Sequence, residues 1–386
     1  MSSFQKRRST PLLSGGKQSL HTGQQLVSTG NPALDYVLGG GLPIGSIMLI
    51  EEDKIGRYAK YLTKLFLAEG TVHKHALFVA NFDHDPQDTV KKLPPMVPES
   101  TTFTAATASL TSQPIPNTVL NDEMRIAWRY NNLDKVNAEQ GNQKNSYTFD
   151  LSQSIEDGAL DSFDITLFGK DKAAEVHSME NKIFHNPAYV SLIQQLQQKL
   201  SDPTFEAVGG QSSSSSSTAT TKNLLRICIE SFGSPFWYTE HFTEDICLFL
   251  TILKAAVRVS LSVCCITVPT HLFKYINQTL IHRVRNLVDY AIELESFAGS
   301  GKETNPVFKE YNGLFFIRKM AALNALAAHT PETYDLAFKL RRKRFVIEKL
   351  HLPPELQESE QRGDQDDEPM LSALSCASTK KHLLEF

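Results

Sequence analysis

Residues 27–58 read VSTGNPALDYVLGGGLPIGSIMLIEEDKIGRY, and the fold turns on this stretch. Asn31 followed by Pro32 reads as a helix start. The Asn side chain can accept from free amides of the first turn, and proline sits where a missing amide proton costs least. Leu34, Val37 and Leu38 give this short helix one apolar side. Gly39, Gly40 and Gly41 end it, since glycine enters left-handed backbone freely. After a turn at Pro43 and Gly45, Ile47–Ile50 is an unbroken apolar run, the pattern of a parallel strand covered on both faces. A helix is expected from about Arg57 to Glu69, with Tyr61, Leu65 and Ala68 on one side and Gly70 as its stop. Ala76–Ala80 is the next apolar strand. Strand, helix, strand at this spacing is a βαβ unit.

Further along, the signal weakens. Polar insertions at about 94–125 and 134–160 predict a surface excursion anchored by IAWRYNN (Ile126–Asn132). Ala188–Leu200 reads as a helix with Tyr189, Ile193, Leu196 and Leu200 along one face. A third insertion at about 206–222 contains the low-complexity run Ser212–Ser217. Regular structure then resumes with a buried strand at Leu224–Ile229. Phe242, Ile246, Leu250, Leu253 and Val257 mark an amphipathic helix, with Glu244 and Asp245 in its first turn and Arg258 in its last, matching the helix dipole. Leu261–Val268 is a second buried strand, stopped by Pro269. Ile276, Leu280, Val284 and Leu287 mark another helix. Tyr290, Ile292 and Leu294 alternate with Glu293 and Glu295, the pattern of a half-exposed strand. Leu314–Ile317, Leu336–Leu340 and Phe345–Leu350 read as strands near the sheet edge. The expected fold is α/β, a mostly parallel central sheet flanked by helices, in one domain over 26–356. The basic segment 1–25 and the acidic segment 357–386 are expected to be disordered tails.

Composition narrows the function classes. The chain has 386 residues, 39 basic and 43 acidic side chains and a formal charge of −4, so nucleic-acid binding would need a local patch or a partner's charge. Its five cysteines (Cys228, Cys247, Cys264, Cys265 and Cys376) form no CxxC pair and have no flanking histidine at ligand spacing. They read as reduced thiols of a cytosolic or nuclear protein, and no metal site is expected. The longest apolar segment, Ile246–Val268, is broken by Lys254 and Arg258, the pattern of a soluble helix and strand and not of a membrane span.

The junction of the first strand and its helix is where a phosphate loop belongs. In GxxxxGK[ST], backbone amides wrap the phosphates, lysine neutralises them and Ser or Thr holds magnesium. Taking Gly56 as the second glycine puts Glu51 at the first, Arg57 at the lysine and Tyr58 at the metal position, with Glu52 and Asp53 between. A carboxylate about 5 Å from a phosphate costs roughly 3 kcal/mol at an effective dielectric near 20. Autonomous ATP hydrolysis is therefore not expected. The charged loop reads either as an ordinary βα turn or, the preferred reading, as a surface rebuilt for contact with another subunit. Glu230, which ends a later strand, has neither a lysine nor a magnesium ligand to work with. No Ser/His/Asp or Cys/His arrangement occurs in usable context.

The segment STGNPALDYVLGGGLPIGS resembles the opening of RecA-like ATPases of the KaiC and RadA type. Its continuation LIEEDKIGRYAKYLTKLFLAEG, without a working phosphate loop, resembles the PAXNEB family, the fourth subunits of the Elongator complex. Further matches are IAWRY at Ile126, FGSPFW at Phe232, ITVPTHLF at Ile266, LESFAGSGKETNP at Leu294, LAFKLRRKRFVIEKLHLPPEL at Leu336 and the terminal KKHLLEF. The resemblance implies a RecA-like fold and a non-catalytic role, with no cofactor. It also implies a heterohexameric ring with the fifth and sixth Elongator subunits, joined to the catalytic subunits. That assembly binds tRNA and supports modification of wobble uridine at C5, in the cytoplasm and nucleus. In such rings the loops after central strands face the pore, here Gly233–Glu240 and Pro269–Tyr275. Trp237, Tyr238 and Phe273 are then candidates for stacking on bases, and Lys274, Arg283 and Arg285 for meeting phosphates. Arg341–Arg344 reads first as a charged strand edge that discourages aggregation, with a nuclear-import signal and phosphate contact as the other readings. Two other functions stay open: a nucleotide hydrolase with a site shared across ring interfaces, and a transcription-associated interaction module.

Overall fold

The computed structural model describes residues 12–19, 22–97, 147–156, 158–171, 183–207 and 221–351. The apolar run Ile47–Ile50 lies in the central strand of the large sheet. Before it, β1 (Gly16–Gln18) and β2 (Gln25–Val27) pair antiparallel, and the short helix α1 (Pro32–Val37) follows. Asn31 caps α1 as expected, accepting from the amides of Ala33 and Leu34. β3 (Leu42–Pro43) closes the three-stranded sheet against β2. Gly41 makes that closure possible: φ is +124°, and a Cβ there would lie 2.5 Å from the Val27 carbonyl oxygen. The segment 12–19 is therefore not a free tail. Two glycines turn it back, Leu13 enters the core, and the Ser14 carbonyl hydrogen-bonds His75.

The large sheet begins with β4 (Ile47–Glu51), α2 (Ala59–Val72) and β5 (Ala76–Asn81). Gly70 does not stop α2, which runs two residues past it. A Cβ at Gly70 would meet Leu77 Cδ2 at 2.7 Å and Arg226 Cδ at 2.8 Å, so glycine serves packing there and not termination. The chain continues through α3 (Pro86–Lys91), β6 (Ile165–Phe168), α4 (Pro187–Leu200), β7 (Leu225–Glu230) and α5 (Phe242–Arg258). Then come β8 (Ser262–Val268), α6 (Thr270–Phe273), α7 (Gln278–Leu287) and β9 (Tyr290–Ser296). It ends in β10 (Gly313–Lys319), β11 (Leu336–Leu340) and β12 (Phe345–Lys349). The nine-stranded order is β12-β11-β10-β9-β4-β8-β7-β5-β6. From β9 to β6 all pairings are parallel, whereas β10, β11 and β12 are added antiparallel. This mixed, mostly parallel sheet flanked by helices agrees with the α/β, RecA-like expectation.

Alternation along each strand divides the interior into two cores. Ile47 and Leu49, with Cys264, Ile266, Ile227 and Phe78, face α4, α5 and α7. Met48 and Ile50, with Val263, Cys265, Cys228 and Leu77, face α2, the small sheet and the antiparallel strands. The anchor expected at Ile126–Asn132 lies outside the described residues. Within the polar insertion, Phe149 is buried and bridges Met96, while Tyr147, Leu151 and Ile155 pack on the second core. Arg341–Arg344 forms the turn of the β11–β12 hairpin and is not a strand edge, and its Lys343 pairs with Asp150 at 3.0 Å. Among the described residues no helix is long and apolar enough to cross a membrane.

Candidate functional site

β4 delivers Glu51 to the carboxyl edge of the sheet, and the loop 52–58 leads into α2. In open α/β sheets this edge, where helix amides point outward, is where anions settle. Asp53 decides what happens here. Its carboxylate is 1% exposed and turns back into the loop. Oδ1 accepts from the amides of Arg57 (3.1 Å) and Tyr58 (3.0 Å), and Oδ2 accepts from that of Ile55 (3.3 Å). The Gly56 amide closes on the Asp53 carbonyl at 2.8 Å, with φ of +66°. Amides that would wrap a phosphate are thus taken by the chain's own carboxylate. That carboxylate also meets the positive end of α2, which has no other side-chain cap.

The neighbouring acids are equally committed. Glu51, 1% exposed, receives Arg285 through Nε (2.5 Å) and Nη2 (2.8 Å), and the Thr270 hydroxyl at 2.9 Å. Arg285 also reaches Glu293 (3.0 Å), which Arg318 holds at 2.5 Å, so the charges alternate along a ladder. The pair with Glu51 pushes the Arg285 guanidinium above its ordinary pKa. Glu52 accepts from the Thr267 hydroxyl at 2.6 Å, and burial raises its carboxyl pKa. Glu230, at the end of β7, accepts from Thr63 (2.7 Å), Thr89 (2.8 Å) and Asn81 (2.9 Å). The three loop acids are therefore interior groups, and the reading of them as a subunit-contact surface is corrected. Lys54, Ile55 and Arg57 are the exposed residues of this loop. The loop amides are occupied by Asp53 and not merely fringed by charge.

Tyr58, aligned with the metal position, is buried against Phe338 with ring centroids 4.8 Å apart. Burial raises its hydroxyl pKa. Trp237 is buried among Phe82 (4.1 Å), Tyr189 (4.8 Å) and Phe232 (5.0 Å). Phe273 is buried against Phe242, and Tyr238 lies partly buried on the same ring. Neither Trp237 nor Phe273 presents a face for a base. Of the basic candidates, Arg285 is tied into the ladder, while Lys274 and Arg283 are exposed. Beside Lys274, Tyr275 is 88% exposed. Tyr275 ends the loop Pro269–Tyr275 expected to face the pore, yet it is not among the residues expected there to stack on bases.

At the opposite edge of the sheet lies a polar cluster that apolar patterning hides. Arg226, inside LRICIE, is fully buried on the second-core face. Its Nη1 donates to the carbonyls of Ser28 (2.9 Å) and Phe66 (3.0 Å), and its Nε to His75 Nδ1 (3.0 Å). The guanidinium also stacks 4.8 Å over the Phe66 ring. Burial lowers its pKa to about 10. Burial, with Arg226 alongside, lowers His75 to about 3. Burial raises Asp35 to about 6 despite hydrogen bonds from Ser28 and Thr29.

Fold and site together define an α/β sheet protein whose phosphate-loop position is filled from within. The chain belongs to the PAXNEB family, whose model, described as PAXNEB protein, matches residues 9–386. It is 38% identical over 434 aligned positions to Elongator complex protein 4 of Drosophila melanogaster, covering 94% of this chain and 96% of that protein. It is 36% identical to Elongator complex protein 4 of Homo sapiens, covering 92% and 83% respectively. A KaiC-like protein from Pyrococcus horikoshii superposes with a TM-score of 0.41 at 12% identity, covering 84% of this chain and 99% of that one.

Proposed function

We propose that the chain is a non-catalytic subunit of an Elongator complex. In this reading it forms a RecA-like heterohexameric ring with the fifth and sixth subunits, beside the catalytic subunits. The ring binds tRNA and supports C5 modification of wobble uridine to 5-carboxymethyluridine and its methoxycarbonylmethyl, carbamoylmethyl and 2-thio derivatives, in cytoplasm and nucleus. The relatives named above support the complex. The observation that carries the non-catalytic part is the Asp53 carboxylate on the amides of Arg57 and Tyr58. A triphosphate would have to displace a buried, charge-assisted acceptor and then meet no lysine and no hydroxyl for magnesium. What remains for the chain is assembly and RNA handling, the latter through exposed groups such as Lys274 and Arg283.

The test is deletion of the chain in cells, with wobble-uridine nucleosides measured by mass spectrometry and the complex sized by native mass spectrometry. Loss of the C5 side chain together with loss of the ring is the expected result. Intact modification would favour an interaction module apart from tRNA. ATP hydrolysis by the isolated chain, abolished by Arg57→Ala, would favour a hydrolase.

A further inference from the structure

At the entry to α5, away from the loop, His185, His241 and Glu244 each bring one ligand atom within 4.8 Å of the others. We propose that these three side chains form a binding site for a divalent transition-metal ion of the zinc type. The strongest support is what stands behind His185. Its Nδ1 lies 3.1 Å from Oδ1 of Asp245, a carboxylate 1% exposed. That carboxylate is itself fixed by the backbone amides of His185 (3.1 Å) and Asn186 (2.9 Å). A carboxylate holding the far nitrogen of an imidazole sets the tautomer and leaves the Nε2 lone pair for a metal, the usual outer-shell arrangement of a histidine ligand. The rings of His185 and His241 stack, with centroids 3.8 Å and planes 22° apart, so one ring must turn for both to face an ion.

His241 Nδ1 and Glu244 Oε2 are 3.7 Å apart, and the Glu244 side chain is 70% exposed. In a tetrahedral zinc shell with bonds of about 2.0–2.1 Å, neighbouring ligand atoms lie roughly 3.3 Å apart, so ligand atoms that now lie within 4.8 Å of one another must draw together by side-chain rotation on binding. Two imidazoles and a carboxylate suit zinc, nickel or copper better than magnesium or calcium, which prefer all-oxygen shells. Glu244 and Asp245 also oppose the positive end of α5, which would otherwise repel a cation. The bound ion would tie the entry of α4 to the entry of α5, leaving one position for water or a partner's side chain. The cysteine spacing that argues against a metal site does not bear on these residues.

The test uses the full chain without a polyhistidine tag, stripped of metal and titrated with Zn2+ against a chromophoric chelator, with Co2+ as a spectroscopic probe. The expected result is one zinc per chain, Co2+ absorption of tetrahedral intensity, and a zinc-dependent rise in Tm. His185→Gln and His241→Gln should each weaken binding at least about tenfold while leaving the metal-free circular dichroism unchanged. Less than half an equivalent bound at about 100 µM zinc overturns the proposal. So does equal affinity in the parent and both variants.

Discussion

The two edges of the large sheet satisfy their buried charge to different degrees. At the carboxyl edge sit four acids, Glu51, Glu52, Asp53 and Glu230, each accepting from hydroxyls, amides or a guanidinium close by. At the amino edge Arg226 is held by two carbonyls and an imidazole beside the buried acids Asp35 and Glu69, and its Nη2 has no hydrogen-bond partner among the described residues. At the first edge the loop amides are taken by the chain's own Asp53. The second joins the N-terminal sheet, α2 and β7 through a charge that water cannot reach. A site can thus turn structural by satisfying itself, whereas a buried cation stays costly even when it is well placed.

Removing charge should therefore hurt most at the amino edge. Arg226→Ala strands Asp35 and Glu69 beside a cavity and is expected to cost about 3–5 kcal/mol in denaturant unfolding. Glu230→Gln keeps most of its hydrogen bonds and should cost no more than about 1–2 kcal/mol. The reverse order would break the comparison.

The amino edge should also carry the pH dependence. His75 has its pKa depressed from 6.5 to about 3, so its neutral form is native. Its contribution is full above pH 6.5 and is lost as pH falls towards 3, on the order of 5 kcal/mol. Asp35 is raised from 3.8 to about 6, so folding favours its protonated form between those values. Its contribution is full below pH 3.8 and is lost as pH rises through 6, on the order of 3 kcal/mol. Between about pH 4 and 6 the two slopes oppose each other. Urea midpoints across that window should rise with pH in Asp35→Asn, where only His75 titrates, and fall with pH in His75→Gln, where only Asp35 does. Unchanged slopes in both variants would contradict the assignment.

At the carboxyl edge, Asp53→Ala should cost about 1–2 kcal/mol and speed hydrogen exchange at the amides of residues 57 and 58. Smallest in stability is Tyr275→Ala, expected within about 0.5 kcal/mol of the parent. If the proposed RNA role holds, it weakens tRNA binding by the assembled complex about fivefold or more. Trp237→Ala should instead lose about 3–5 kcal/mol of stability as a core truncation.

Much of this architecture is legible in the residues. Asn31-Pro32, the glycines after α1 and the unbroken run Ile47–Ile50 announce their elements because local backbone preference and two-sided burial coincide there. β6 escaped because Ile165–Phe168 is a short edge strand between polar stretches, where no helical or alternating pattern accumulates. Gly70 misled because glycine's role in tight packing leaves no mark distinct from its role in stopping a helix. At the site, the replaced loop residues were readable, and the placement of their carboxylates was not. A charged residue after a strand reads as solvated unless its partners are known, and those of Glu51 and Glu52 lie more than 200 residues downstream. Arg226 was hidden for the same reason, as one charge inside an apolar run.

The most direct measurement is equilibrium binding of a fluorescent ATP analogue with magnesium to the purified chain. Because Asp53 already holds the loop amides, no saturable binding should occur up to about 1 mM nucleotide, an affinity weaker than about −4 kcal/mol. Saturable binding at about 10 µM or below, abolished by Arg57→Ala, would contradict the account.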